Sequence, residues 1–111
     1  MSQSVEPPIV LVHRRPEGET EVVLVGRLDI GCVGRLRNAV VRAADESNAR
    51  ITVDASRVTA VDPVGLRTLV ACRRLAAAIG IDMILWRPSP PLQARLRRIG
   101  LDRTLTVAGC D

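Results

Sequence analysis

The chain predicts a single α/β domain built on a mixed sheet, with elements in the order β-β-α-β-α-β-α-β. Three observations lead there. Apolar runs of strand length alternate with segments whose apolar residues recur at helical spacing. Only the first two strand-like runs, "IVLVHRR" and "TEVVLVGRLD", follow one another directly, across "RPEGE" with its Pro16 and Gly18. Every later strand is separated from the last by a helix, which demands crossovers and a mixed sheet. At 111 residues the chain suits one domain and buries roughly two-thirds of its unfolded surface, enough for one core.

The elements follow in order. Residues 1–7 are polar and end on proline, and read as a flexible N-terminus to a domain over 8–108. The first two strands form a hairpin, and the unbroken apolar run Val22 to Val25 predicts burial on both faces. Val33, Leu36, Val40 and Ala43 fall at helical spacing, so an amphipathic helix spans about 32–47, with Asp29 or Gly31 marking its start. "ITVDASRVTAVD" holds a third strand, Ile51 to Val53, continuing irregularly towards Val61. A second helix runs from Gly65 to Ile79, and Gly80 stops it. On it Leu69, Cys72, Ala76 and Ile79 form the stripe that should face the sheet. "IDMILWR" is a fourth strand. "PSPPLQARLRRIG" is a short helix begun by prolines and ended by Gly100. "LDRTLTV" closes the sheet.

Composition narrows the function. The chain is 47% hydrophobic but 1% aromatic, so the core must be Val, Leu, Ile and Ala, with Trp86 as its single large anchor. All 16 basic residues are arginine and the net charge is +4, which raises nucleic acid as a partner. The arginines are scattered, however, and no Phe or Tyr offers base stacking. The densest group, Arg95, Arg97, Arg98 and Arg103, reads as a solvated helix face. Cys32, Cys72 and Cys110 are spread without metal-ligand spacing, and His13 is the one histidine, so no metal site is expected. "MSQSVEPP" has no basic n-region followed by an apolar run. No stretch approaches the roughly 20 apolar residues that span a bilayer. A cytoplasmic protein with reduced thiols and no membrane insertion is the expectation.

The search for chemistry finds little. Neither a Gly-x-Gly-x-x-Gly nor a Gly-Lys-Ser/Thr loop follows a strand, so no nucleotide cofactor is expected. Asp29, Asp54 and Asp62 lie at or near strand ends and could gather magnesium. Capping of free helix N–H groups by Asp29 and Asp62 accounts for them better. No histidine stands near a Cys or Ser to serve as base, so the chain does not read as an enzyme. "DPVG", residues 62–65, is a well-made helix start: Asp62 caps, Pro63 suits the first helical position, and Gly65 permits close packing.

Three segments, in register, carry a resemblance to STAS domains. "VGRLDIGCVGRLRNAV" resembles their Gly-Glu-Leu-Asp strand end and following helix. "ITVDASRVTAVDPVGLRTLV" resembles their central strand and its Asp-Ser-Ser-Gly-Leu loop. "MILWRPSPPLQARLRRIGLDRTLTV" resembles their closing strand, Ser-Pro helix, Gly-Leu and last strand. The resemblance covers about residues 8–107. It implies a mixed sheet with helices packed mainly on one face, and a bacterial, non-catalytic anti-sigma factor antagonist. Such proteins regulate transcription by binding an anti-sigma factor of the histidine-kinase-like ATPase type, which frees the sigma factor. A STAS subunit docked on a lipid-transport ATPase or a stress-signalling scaffold is the alternative.

Phosphorylation of a loop Ser switches such antagonists off. Here that position falls on Pro63 and the next Ser on Val64, so no phosphorylation site is expected in the loop; Ser56 and Thr59 are the nearest hydroxyls. On the second helix Arg67, Ala71, Arg74 and Ala78 form a flat basic stripe. The expected partner surface joins Asp29, Asp62, Pro63, Val64, Gly65 and Leu66 to Arg67, Ala71 and Arg74. A redox bridge between Cys72 and Cys110 is the candidate switch in place of the phosphate. The family usually adds a C-terminal helix beyond the last strand; a sheet flank left less covered here would favour a partner or self-association as a homodimer.

Overall fold

The computed structural model describes residues 9–14, 18–46, 50–100 and 106–109. The strands are β1 (Ile9–Arg14), β2 (Glu19–Leu28), β3 (Arg50–Val61), β4 (Asp82–Trp86) and β5 (Thr106–Ala108). The helices are α1 (Val33–Glu46), α2 (Pro63–Ala78) and α3 (Pro90–Arg98), in the predicted order. One 3-10 turn, Ile30–Cys32, leads into α1. The strands lie side by side in chain order, β1 antiparallel to β2 and the others parallel. The N-terminal stretch expected to be flexible falls outside the described residues.

Register decides which residues form the core. Val22 lies opposite Val53, Val53 opposite Leu85, and Leu85 opposite Val107. Strand side chains alternate, so this row occupies one face of the sheet. Val22, Leu24, Ile51, Val53, Ala55, Met83 and Leu85 are buried there. They meet Leu36, Val40 and Ala43 of α1, Leu69, Cys72 and Ala76 of α2, and Leu92 and Leu96 of α3 in one cluster. Each Val, Leu, Ile or Met side chain buried this way stabilises the fold by roughly 1.5–3 kcal/mol.

The opposite face differs from two expectations. No described helix covers it, so Val23 and Val25 are half-buried where burial on both faces is expected. Trp86 is not the core anchor. It alternates outward from Leu85 and is 39% exposed, on the same face as Asp54 and Val23. Its ring lies against the Gly109 backbone, where an added Cβ would sit 3.3 Å from Cδ2 and Cε2. Among the described residues the core holds no aromatic ring.

The irregular continuation of β3 is two bulges. Val23 and Val25 pair with Asp54 and Arg57, and Gly26 and Arg27 pair with Val58 and Ala60, so β3 twice spends an extra residue. At the first bulge the Asp54 carboxylate accepts hydrogen bonds from the Ser56 N–H (3.0 Å) and hydroxyl (2.7 Å). The bulges keep β3 paired to its end while returning Val58 to the core.

One helix end corrects the sequence reading, and the start of α3 agrees with it. α2 stops at Ala78, and Ile79 leaves the helical conformation ahead of Gly80, whose φ is +79°. Ile79 is therefore 57% exposed, while Leu69, Cys72 and Ala76 of the expected stripe are buried. α3 starts at Ser89–Pro90–Pro91. Ser89 is buried and its Oγ has no hydrogen-bond partner among the described residues; Pro91 removes one of the two N–H groups a capping side chain uses, and that of Leu92 is not engaged. The Ser89 N–H donates to the Ala55 carbonyl at 3.0 Å, fastening α3 to β3.

Candidate functional site

Leu28 ends β2 opposite Val61, which ends β3, so Asp29 and Asp62 emerge side by side. The Asp62 N–H donates to the Leu28 carbonyl at 3.1 Å. Each carboxylate then caps the turn that follows it. Asp62 Oδ1 accepts from the Gly65 N–H at 2.8 Å, and Asp29 Oδ1 from the Gly31 N–H at 2.9 Å. Arg27 adds an ion pair to Asp29 Oδ2 at 3.7 Å. Asp54, committed to Ser56 at the bulge, is not part of this pair. Among the described residues no group of three His, Cys, Asp or Glu side chains is placed to hold a metal.

The loop is fixed by close contact. A Cβ on Gly65 would lie 2.1 Å from the Leu28 carbonyl oxygen, 2.7 Å from its carbon and 2.9 Å from Leu28 Cγ. The glycine is needed for space. It is not needed for a left-handed backbone, since Gly65 is not among the residues with positive φ. Pro63, at the start of α2, is exposed and Val64 half-buried. The nearest hydroxyl on α2, Thr68, is buried and donates to the Val64 carbonyl at 2.8 Å. Ser56 and Thr59 are exposed, but both belong to β3, ahead of the loop.

The structure sorts the expected partner residues. Asp29 and Asp62 are half-buried, and Pro63, Arg67, Ala71 and Arg74 are exposed on a continuous ridge. Gly65 and Leu66 are buried; Leu66 shows only as the floor of a groove. That groove, about 470 Å³, runs between α2 and α3 and is lined by Pro63, Leu66, Val70, Arg74, Arg95 and Ile99, with Arg67 and Ala71 on its rim. A second, about 360 Å³, lies on the other flank of α2, between Val33 and Arg37 of α1 and Val64 and Leu75 of α2. Sequence reasoning misses Val70, Arg95 and Ile99, because joining them to α2 depends on where α3 packs.

Cys32 and Cys72 are both buried and unbridged. Burial raises the Cys32 thiol above its ordinary value; the backbone at Asp29 partly offsets this, and the Asp29 and Asp62 charges add to it. Burial pushes Cys72 up to about 11, against the pull of Arg37 and with Cys32 adding to the rise. The other half of the expected Cys72–Cys110 bridge lies outside the described residues.

Comparison with known proteins gives a consistent picture. A family model described as "Mlab, STAS domain" matches residues 12–107. No curated protein matches the chain. An anti-sigma factor antagonist from Mycobacterium paratuberculosis superposes with a TM-score of 0.78 at 20% identity, covering 99% of this chain and 92% of that one. The anti-sigma factor antagonist SpoIIAA, in its unphosphorylated form, gives 0.73 at 21% identity, covering 90% and 88%. Part of the murine anion transporter solute carrier 26 family member A9 gives 0.67 at 18% identity, covering 78% of this chain but 14% of the transporter. At such identities the likeness speaks for the fold.

Proposed function

The chain belongs to the STAS domain family, and on that premise we propose that it is a non-catalytic binding module acting as an anti-sigma factor antagonist. Its partner is a kinase-type anti-sigma factor, held on Asp29, the 62–66 loop and the Arg67–Ala71–Arg74 ridge. Binding there frees the sigma factor. One observation carries this reading: the Asp62–Gly65 turn is held rigidly against Leu28, yet offers the surface a proline and a ridge of arginine and alanine instead of a reactive group. A fixed, chemically inert surface suits recognition.

The same loop sets the regulation. A phosphate at the start of α2 would meet free backbone N–H groups and the positive end of the helix. Pro63 has no hydroxyl to carry one, and neither has Val64. The antagonist is therefore constitutive towards its kinase: ATP does not dismiss it. In a relative with serine at this place, phosphorylation adds about −1.5 to −2 of charge and ends binding.

The test mixes wild type, Pro63→Ser and Pro63→Glu with a kinase-type anti-sigma factor and ATP, and reads intact mass and complex formation. The wild type stays unmodified and bound. Pro63→Ser gains one phosphate and dissociates, and Pro63→Glu folds but binds more weakly. A phosphate on the wild type would place the switch elsewhere, and a Pro63→Glu variant that binds as tightly as wild type would remove this loop from the interface.

A second reading is favoured by the likeness to one part of a transporter chain. Here the protein is a STAS subunit docked on a larger assembly, such as a lipid-transport ATPase. Co-purification with a transport ATPase, with no complex formed by any kinase-type anti-sigma factor, would select it.

A further inference from the structure

We propose that the groove between α2 and α3 receives an acidic amphipathic helix from a protein partner. Its aliphatic side chains seat on Leu66, Val70 and Ile99, and its carboxylates pair with Arg67, Arg74 and Arg95. The inference deepens the binding reading above, since α2 forms one wall of the groove.

Charge is the first argument. Neither α2 nor α3 contains a single Asp or Glu. Together they carry Arg67, Arg73, Arg74, Arg95, Arg97 and Arg98, and none of these makes an ion pair among the described residues. Among the described residues, two adjacent helices thus present positive charge without a paired carboxylate, which attracts a partner of opposite sign and repels like charge.

Shape is the second. The floor is aliphatic, built from Leu66, Val70 and Pro63, and Ile99 stands 53% exposed at one side. Covering Ile99 removes apolar surface from water, at roughly 25 cal/mol for each Å². Arg67 and Arg74 are seven residues apart, two helical turns or about 10.5 Å along α2. Arg95 faces them from α3. A helix laid along the groove meets this pattern with carboxylates seven residues apart on one flank, one more on the other, and aliphatic residues between them. Arginine suits the task, because its planar fork takes a carboxylate through two parallel hydrogen bonds.

Other anionic macromolecules fit less well. The lining has no aromatic ring for bases to stack on. A membrane surface rewards an amphipathic helix that projects its apolar face, whereas here the apolar residues line a recess between two helices.

The test uses the whole chain and a designed, fluorescently labelled helix carrying leucines at i, i+4 and i+7, with glutamates seven apart beside them. Anisotropy gives affinity, and amide chemical-shift changes give location. The peptide is expected to bind with shifts centred on 63–74 and 95–99. Affinity should fall with added salt and drop about tenfold when its glutamates become glutamines. Arg67→Gln and Arg95→Gln should each weaken binding about fivefold, while Arg42→Gln on α1 leaves it unchanged. Equal binding of the glutamate and glutamine peptides, or an Arg95→Gln variant that binds as wild type does, overturns the proposal. So does displacement of the peptide by single-stranded oligonucleotide or anionic vesicles at lower concentration than by unlabelled peptide. No kinase enters this titration, so its failure leaves the antagonist reading standing, and failure of the kinase complex leaves the groove standing.

Discussion

Replacing Gly65 with alanine tests the contact that fixes the candidate loop. The new Cβ would lie 2.1 Å from the Leu28 carbonyl oxygen, and side-chain carbons are essentially never found closer than 3.0 Å to such a neighbour. The first turn of α2 must therefore move away from β2 by about 0.9 Å. That displacement stretches the Asp62 N–H···O=C Leu28 bond from 3.1 Å to beyond hydrogen-bonding range. Losing the bond costs about 1 kcal/mol, and overpacking adds roughly 1–3 kcal/mol. The better helix propensity of alanine returns about 1 kcal/mol. The net is a loss of about 2 kcal/mol, or roughly 10 °C in Tm for a domain this size. Gly34→Ala is the matched control: this glycine is also helical, but nothing lies within 4 Å of its added Cβ. It should gain about 0.5–1 kcal/mol. Calorimetry or urea unfolding monitored by circular dichroism reads both. A Gly65→Ala protein as stable as wild type would refute the close-approach argument.

Other consequences can be checked in the same assays. Asp62→Ala deletes the cap on Gly65 N–H and should destabilise by about 1 kcal/mol, whereas Asp62→Asn, which keeps the acceptor, should unfold within a few degrees of wild type. Pro63→Glu should keep its Tm within a few degrees, since a carboxylate at a helix N-terminus contributes about 0.3–1 kcal/mol; a large loss would mean that Pro63 holds the loop together. The thiols set an alkaline limit. Unfolded chains ionise Cys near the ordinary value of about 8.5, while the folded chain holds Cys72 up to about 11. The raised folded value means this contribution to stability is complete below about pH 8.5 and is lost as pH rises towards 11. Urea midpoints should fall over that interval, and Cys72→Ala should flatten the fall.

Much of the architecture is legible because its signals are local. The order of elements follows from apolar spacing, and the start of α2 from Asp62 and Pro63 alone. Glycines 80 and 100 mark true helix ends, both with positive φ. What the sequence hides depends on register and packing. The run Val22–Val25 is apolar throughout, so it cannot tell one buried face from two. Trp86 was readable in principle: strict alternation from Met83 and Leu85 turns it outward, but its size suggests a core anchor. The reason for Gly65 needs Leu28, 37 positions away in the chain. The α2–α3 groove needs the hydrogen bond from Ser89 to Ala55 that sets where α3 lies.

Trp86 gives the molecule an unusual optical property. It is the sole tryptophan, and no tyrosine accompanies it, so near-ultraviolet emission comes from one ring on the open face of the sheet. The helical side is spectroscopically dark. A ligand filling the α2–α3 groove should leave the emission maximum where it is, while a second copy laid over the sheet should shift it to the blue. One cuvette can therefore tell which side of the protein a partner has chosen, with no label attached.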